Sequence, residues 1–235
     1  MSGKAKTVKA DLKALATAEG AVHSSRFFKT GPGQYGEGDV FIGVTVPEQR
    51  RIAARFGDLP LSEIDLLLAS AVHEHRLTGL LILVKQFADA RQASNRRKIL
   101  TFYLSRLQSV NNWDLVDLSA PKILGAFLVD HPKDRKRLYK MAKSKNLWER
   151  RIAVLATLPL LKLGQFDELL ALAEALLADT HDLMHKAVGW MLREAGKVDL
   201  NVLADFLDKH ATIMPRTMLR YAIERLEPAR RKFYM

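Results

Sequence analysis

The chain has 235 residues, 48% of them hydrophobic, which is enough for one large domain or an unbroken repeat array and excludes an intrinsically disordered chain. Lys and Arg number 37 against 26 Asp and Glu, a net charge of +11, which points to a polyanionic partner, nucleic acid first. The lack of cysteine excludes structural disulfides, thiol catalysis and cysteine-ligated zinc, and it fits a cytoplasmic protein.

Residues 1–13 are basic but lack the apolar core of a signal peptide, and the longest apolar stretch, 77–84, is too short to span a bilayer. Apolar residues recur at three- and four-residue spacing along almost the whole chain. This predicts helices over 8–18, 21–29, 47–56, 62–74, 77–90, 96–107, 113–129 and 133–142, then over 148–163, 166–178, 183–195, 200–209 and 215–226. Pro47 and Pro215 suit first-turn positions, and Ser62 with Asp65 has the spacing of a capping box. Gly164 and Gly196 suit helix stops. Strand alternation is confined to 39–46, which reads better as an ordered loop. Short connections imply antiparallel helix pairs, so the chain is expected to be all-α and to fold as one domain, 1–235.

Three C-terminal segments superpose: Glu149-Arg-Arg-Ile-Ala-Val-Leu, Met184-His-Lys-Ala-Val-Gly-Trp and Met214-Pro-Arg-Thr-Met-Leu-Arg. Arg151, Lys186 and Arg216 then share one repeat position. Singly, each is an ordinary solvated cation; together they form a basic stripe of the kind that tracks a phosphate backbone along a curved helical solenoid. The loop Thr30-Gly-Pro-Gly-Gln-Tyr-Gly-Glu-Gly-Asp39 matches GxGxxG literally but lacks the flanking strand and helix of a dinucleotide site. It is either a flexible connection or a backbone surface that approaches a ligand closely.

Asn112 suits an N-cap, and Asp114 then falls in the first turn, where the helix dipole favours it. Trp113 and Asp117, four residues apart, share a helix face. This is either a packed Trp with an ion-paired Asp or an aromatic surface beside a functional carboxylate. Trp190, one turn after Lys186, can share that cationic face, whereas Trp148 reads as core. His181 and His185 have i, i+4 spacing and His73 lies near His75, but no HExxH motif is present. These histidines are expected at the surface or as caps, and no metal or other cofactor is expected.

The segments Asn112-Trp-Asp-Leu-Val-Asp117, Leu147-Trp-Glu-Arg-Arg-Ile-Ala153 and Lys186-Ala-Val-Gly-Trp-Met-Leu-Arg-Glu194 resemble the AlkD family of DNA alkylation-repair glycosylases. Arg26-Phe-Phe-Lys29 and Val44-Thr-Val-Pro-Glu-Gln-Arg-Arg51 extend the resemblance, which covers residues 11–226. It implies a HEAT-like (ARM-type) solenoid of antiparallel helix pairs with a basic concave face. It further implies excision of cationic N3- and N7-alkylated purines, such as 3-methyladenine and 7-methylguanine, from double-stranded DNA. A repeat array with polar ends is expected to stand as a monomer.

By the same resemblance Asp117 is the catalytic carboxylate, Trp113 and Trp190 flank the deoxyribose, and Arg151 grips a phosphate. Lys186 and Arg216, which share the repeat position of Arg151, are expected beside it as DNA contacts. Phe27 stands where the family often has tyrosine, which removes any hydroxyl-dependent role there, and the loop 31–38 is longer than in shorter members. The rival reading is a non-catalytic helical-repeat DNA binder or scaffold, which shares fold and charge but has no use for the Trp113–Asp117 pair, Arg151 and Trp190 together.

Overall fold

The computed structural model describes residues 3–235, which are helical apart from loops and a single bridge between Val40 and Val72. The chain divides into two compact units, Met1–Ser119 and Ala120–Met235.

The first unit contains α1 (Lys4–Ala14), α2 (Ala18–Phe27), α3 (Val46–Arg55), α4 (Leu61–Leu68), α5 (His73–Asp89), α6 (Ala93–Leu104) and α7 (Trp113–Ser119). Helix α5 is its axis. Leu77, Leu80, Ile82, Leu83 and Phe87 are all buried, and α3, α4, α6 and α7 pack around them. A helix apolar on nearly every side has to lie inside its unit. The capping box of this half belongs to α3: Thr45 and Glu48 satisfy the first turn reciprocally, with Pro47 beside them.

The second unit opens on one wide turn, Pro121–Gly125, followed by α8 (Ala126–Asp130) and a 3₁₀ turn, Pro132–Asp134. Then come α9 (Lys136–Ala142), α10 (Leu147–Leu155), α11 (Leu158–Leu161), α12 (Asp167–Ala175), α13 (Asp182–Val198), α14 (Leu200–His210), α15 (Arg216–Ala222) and α16 (Pro228–Tyr234). Here α13 is the organising helix, with α10, α12, α14 and α15 packed on it. Its approach to α15 depends on Gly189, where a Cβ would lie 2.4 Å from the Met218 carbonyl oxygen.

The structure departs from the sequence expectation at several places. The helix expected over 62–74 ends at Leu68, and α5 starts afresh at His73, because Arg76 turns back to bind the Ser70 and Ala71 carbonyls. Ser62 lies inside α4 and caps nothing; Asp65 instead receives a two-pronged bond from Arg106. The 148–163 segment is broken at Ala156 and Thr157, just ahead of Pro159. Gly164 does end α11, with φ +71, but Gly196 lies within α13, where a Cβ would meet Leu203 Cδ2 at 2.5 Å. Helix α16 lies beyond the last expected helix, 215–226. Arg151 and Lys186 are each the fifth residue of their helix, whereas Arg216 is the first of α15, so Arg220 takes the matching place.

Candidate functional site

Helix α7 carries Trp113 and Asp117, and its start is fastened by buried charge. Asn112, fully buried, accepts from the Trp113 N–H at 2.8 Å and donates through Nδ2 to Asp39 at 3.0 Å. One residue further on, Asp114 meets His73 Nε2 at 2.8 Å. The other ring nitrogen, Nδ1, lies 3.0 Å from Asp39, which also binds Arg76 Nη2 at 2.5 Å. Two carboxylates thus flank one imidazole, with a guanidinium completing the charge balance.

His73 is therefore neither a surface nor a capping residue; its side chain is 2% exposed. Burial alone would lower its pKa, but the hydrogen bonds and charges of Asp114 and Asp39 prevail and raise it to about 9. It is an imidazolium at neutral pH, with both nitrogens donating. Burial pushes Asp39 upward, yet its bond to His73, the Arg76 charge and the Asn112 bond hold it below the usual carboxylate range. Sequence reasoning missed Asp39, His73 and Arg76 because the partners lie 34 and 41 residues from His73 along the chain. Glu74, also buried, holds the loop before α3 by accepting from the N–H groups of Ile42 and Gly43.

Aromatic rings roof this network. Phe28 stacks on Phe41 (4.9 Å, 16°) and on Trp113 (5.2 Å, 20°), and Phe41 stacks on His73 (4.6 Å, 25°). A cation beneath aromatic faces is attracted by their quadrupoles. Phe27, 57% exposed, meets Trp113 edge-on at 5.8 Å. The structure therefore brings Phe27, Trp113 and α7 together, and Asp117 is half-buried one turn along the same helix. The glycine-rich loop is shaped by turns: Gly33 and Gly38 take positive φ, and Gly36 packs so close that a Cβ would lie 2.3 Å from the Phe28 carbonyl oxygen.

In the second unit, Arg151 on α10 is 4% exposed, and its Nη1 donates to the Leu183 carbonyl at 2.6 Å. It thereby ties α10 to the first turn of α13. Arg150 binds Asp179, whose backbone carbonyl bonds His185, and His181 caps α13 by accepting from the Leu183 N–H. Lys186 pairs with Asp182 at 2.8 Å, and Trp190, half-buried, donates through Nε1 to Glu194 at 3.0 Å. Exposed Arg216 donates to the Met235 carbonyl. Trp148 is core, as expected.

The family of DNA alkylation repair enzymes matches residues 8–226 of this chain. The chain belongs to that family. Membership gives the enzyme a role in DNA alkylation repair, with DNA as its partner. Its fold is similar to that of a predicted DNA alkylation repair enzyme from Enterococcus faecalis, at a TM-score of 0.72 and 17% identity, over 91% of this chain and 97% of that one. AlkD2 from Streptococcus mutans is similar at a TM-score of 0.55 and 16% identity, over 95% and 98% of the two chains. The smu.31 structure from Streptococcus mutans UA159 is similar at 0.55 and 17%, over 95% and 99%. No curated protein matches. Among the enzyme's described residues no helix is long and apolar enough to cross a membrane.

Proposed function

We propose that this family member is a DNA glycosylase that releases cationic N3- and N7-alkylated purines, 3-methyladenine and 7-methylguanine among them, from duplex DNA. The observation that carries the reading is a half-buried carboxylate, Asp117, one helical turn after a tryptophan that rings and a buried ion network hold in place. In a DNA alkylation repair enzyme, a fixed anion beside an aromatic face is what the sugar cation left by a departing base calls for.

Alkylation at N3 or N7 puts positive charge on the purine. Its bond to C1′ breaks with both electrons going to the base, which leaves neutral and needs no proton from an acid. The sugar becomes an oxocarbenium-like cation. Asp117 stabilises that charge and orients a water, which adds to C1′ and gives its proton to the carboxylate. Glycoside hydrolases commonly add a second carboxyl to protonate the leaving group, and a cationic purine makes that group dispensable. The indole faces of Trp113 and Trp190 would each add attraction for a positive centre on the order of 0.5–2 kcal/mol.

Arg151, Lys186, Arg216 and Phe27 are assigned to the DNA backbone, Arg151 through its hold on the first turn of α13 as well as its charge. The protein acts as a cytoplasmic monomer. The deciding experiment is release of 7-methylguanine and 3-methyladenine from methylated duplex DNA by wild type and Asp117→Asn. Release should fall by ~10²-fold or more in the variant while DNA binding persists. Salt-sensitive binding with no release by wild type would favour the non-catalytic DNA-binding reading.

A further inference from the structure

Positive charge is not spread evenly over this chain. Residues 133–145 hold seven Lys or Arg against one Asp, a net +6 out of the whole chain's +11. Arg135 is the one cation of this run in an ion pair, with Glu168 at 3.1 Å. Lys133, Lys136, Arg137, Lys140, Lys143 and Lys145 are all exposed, and none is in an ion pair among the described residues.

Their arrangement follows from helix geometry. Leu138, Met141 and Ala142 of α9 are buried against α10 and α12. At 100° per residue, Lys136, Lys140 and Lys143 then fall on the opposite side, with Arg137 on its flank. The cationic face is turned away from α10, the helix that carries Arg151, so these groups are not an extension of the contact assigned to that residue. Lys136 and Lys143 lie about 10 Å apart along the axis, at a rise of about 1.5 Å per residue. Duplex DNA carries one phosphate charge per about 1.7 Å, so the row spans several phosphates. Tyr139, 39% exposed, lies among the cations and brings a hydroxyl that can donate to a phosphate oxygen.

Six exposed like charges within 13 residues repel one another, and a counter-charge relieves that cost. Helix α9 has no acidic residue of its own; of the acids around it, Glu168 is already paired with Arg135, and Asp134 and Asp167 are too few to balance six cations. We propose that the exposed face of α9 with its preceding turn is a second, sequence-independent contact for the phosphate backbone of duplex DNA, distinct from the lesion-contacting residues. The identity of the polyanion rests on family membership rather than on the glycosylase reading, and the test does not require catalysis.

The test compares binding of undamaged duplex DNA across a salt series for three full-length proteins. These are wild type, Lys136→Gln/Arg137→Gln/Lys140→Gln/Lys143→Gln, and a control with the same loss of charge at exposed scattered sites, Lys98→Gln/Lys162→Gln/Lys209→Gln/Arg225→Gln. Each lost phosphate contact lowers the slope of log affinity against log salt by ~0.9. The α9 variant should therefore lose up to about 3.6 of slope, and at least ~10-fold in affinity at moderate salt, while the control loses far less. Equal slopes for the two variants would overturn the proposal and reduce the patch to general charge. An unchanged DNA slope with lost binding to phosphatidylserine vesicles would overturn it in favour of a membrane surface. Circular dichroism and thermal melting of each variant establish that the comparison is between folded proteins.

Discussion

The two units position their tryptophans by different physics. In the first, Trp113 is held by buried charge and stacked rings: Asn112 caps its N–H, Asp114 is locked to His73, and Phe28 covers one indole face. In the second, Trp190 follows Gly189, where backbone meets backbone, and its indole is tied by one bond to Glu194 on the same helix. A buried ion network is costly to disturb because each member left alone is an uncompensated charge. Close packing is intolerant of volume but has no charge to strand. The first design fixes orientation by many long-range partners, the second by shape and one local bond.

The largest effect is expected where the first design is broken. His73→Ala should destabilise the protein by ~3–5 kcal/mol in urea denaturation at neutral pH, since it leaves Asp114 without its counter-charge in the interior and takes one of three partners from Asp39. A loss under ~1 kcal/mol would mean that water replaces the ring at little cost. The pH dependence sharpens the point, because His75, two residues along, shifts the other way. Burial, then the charges of Lys9 and Arg76, lower it to about 4. A raised His pKa gives stability that is complete below 6.5 and lost as pH rises through about 9. A lowered one gives stability that is complete above 6.5 and lost as pH falls through about 4. Stability should peak near pH 6.5, with His73→Gln flattening the alkaline limb and His75→Gln the acid limb.

The second unit is expected to break at Gly189. A Cβ there would lie 2.4 Å from the Met218 carbonyl oxygen and 2.6 Å from Tyr221 Cβ, so α13 and α15 would have to separate. Overpacking of this kind costs ~1–3 kcal/mol, set against up to ~1 kcal/mol gained from a better helix former. Gly189→Ala should therefore lower the melting temperature by several degrees, less than His73→Ala. If the melting temperature rises, the close approach is not what holds α13.

These contrasts mark how far the sequence could be read. Helix after helix was legible from apolar spacing, and the Trp113–Asp117 and Lys186–Trp190 relations from the helical turn alone. Gly164 was legible because a helix stop is local. Gly196 and Gly189 were not, since what excludes a side chain there is a partner on another helix. A break between α4 and α5 was legible but misplaced, at 75–76 instead of 69–72, because the apolar pattern runs on past Leu68; the folded-back Arg76 and the bridge of Val72 to Val40 show why the chain turns there. Least legible was the network under α7. Asp39 is a loop residue in sequence and becomes the hub of three side-chain bonds only when the fold brings His73, Arg76 and Asn112 to it.

The smallest effect separates positioning from stability. Glu194 accepts from Trp190 Nε1 at 3.0 Å and from Lys197 at 2.7 Å, with its side chain 21% exposed. Bonds this near to solvent contribute less than ~1 kcal/mol, so Glu194→Ala should leave urea stability almost unchanged. The indole, however, loses the hydrogen bond of its ring nitrogen, which sets its rotation about the ring edge. If Trp190 serves the developing sugar cation through its face, single-turnover release of 7-methylguanine should fall several-fold in Glu194→Ala, with Glu194→Gln restoring most of it because an amide oxygen still accepts. An unchanged release rate in Glu194→Ala would show that packing at Gly189 orients the ring unaided. A stability loss as large as the rate loss would make the bond structural rather than orienting. Asn112, which caps the Trp113 N–H in the first unit, cannot be probed so cleanly, because removing it also strips a donor from Asp39.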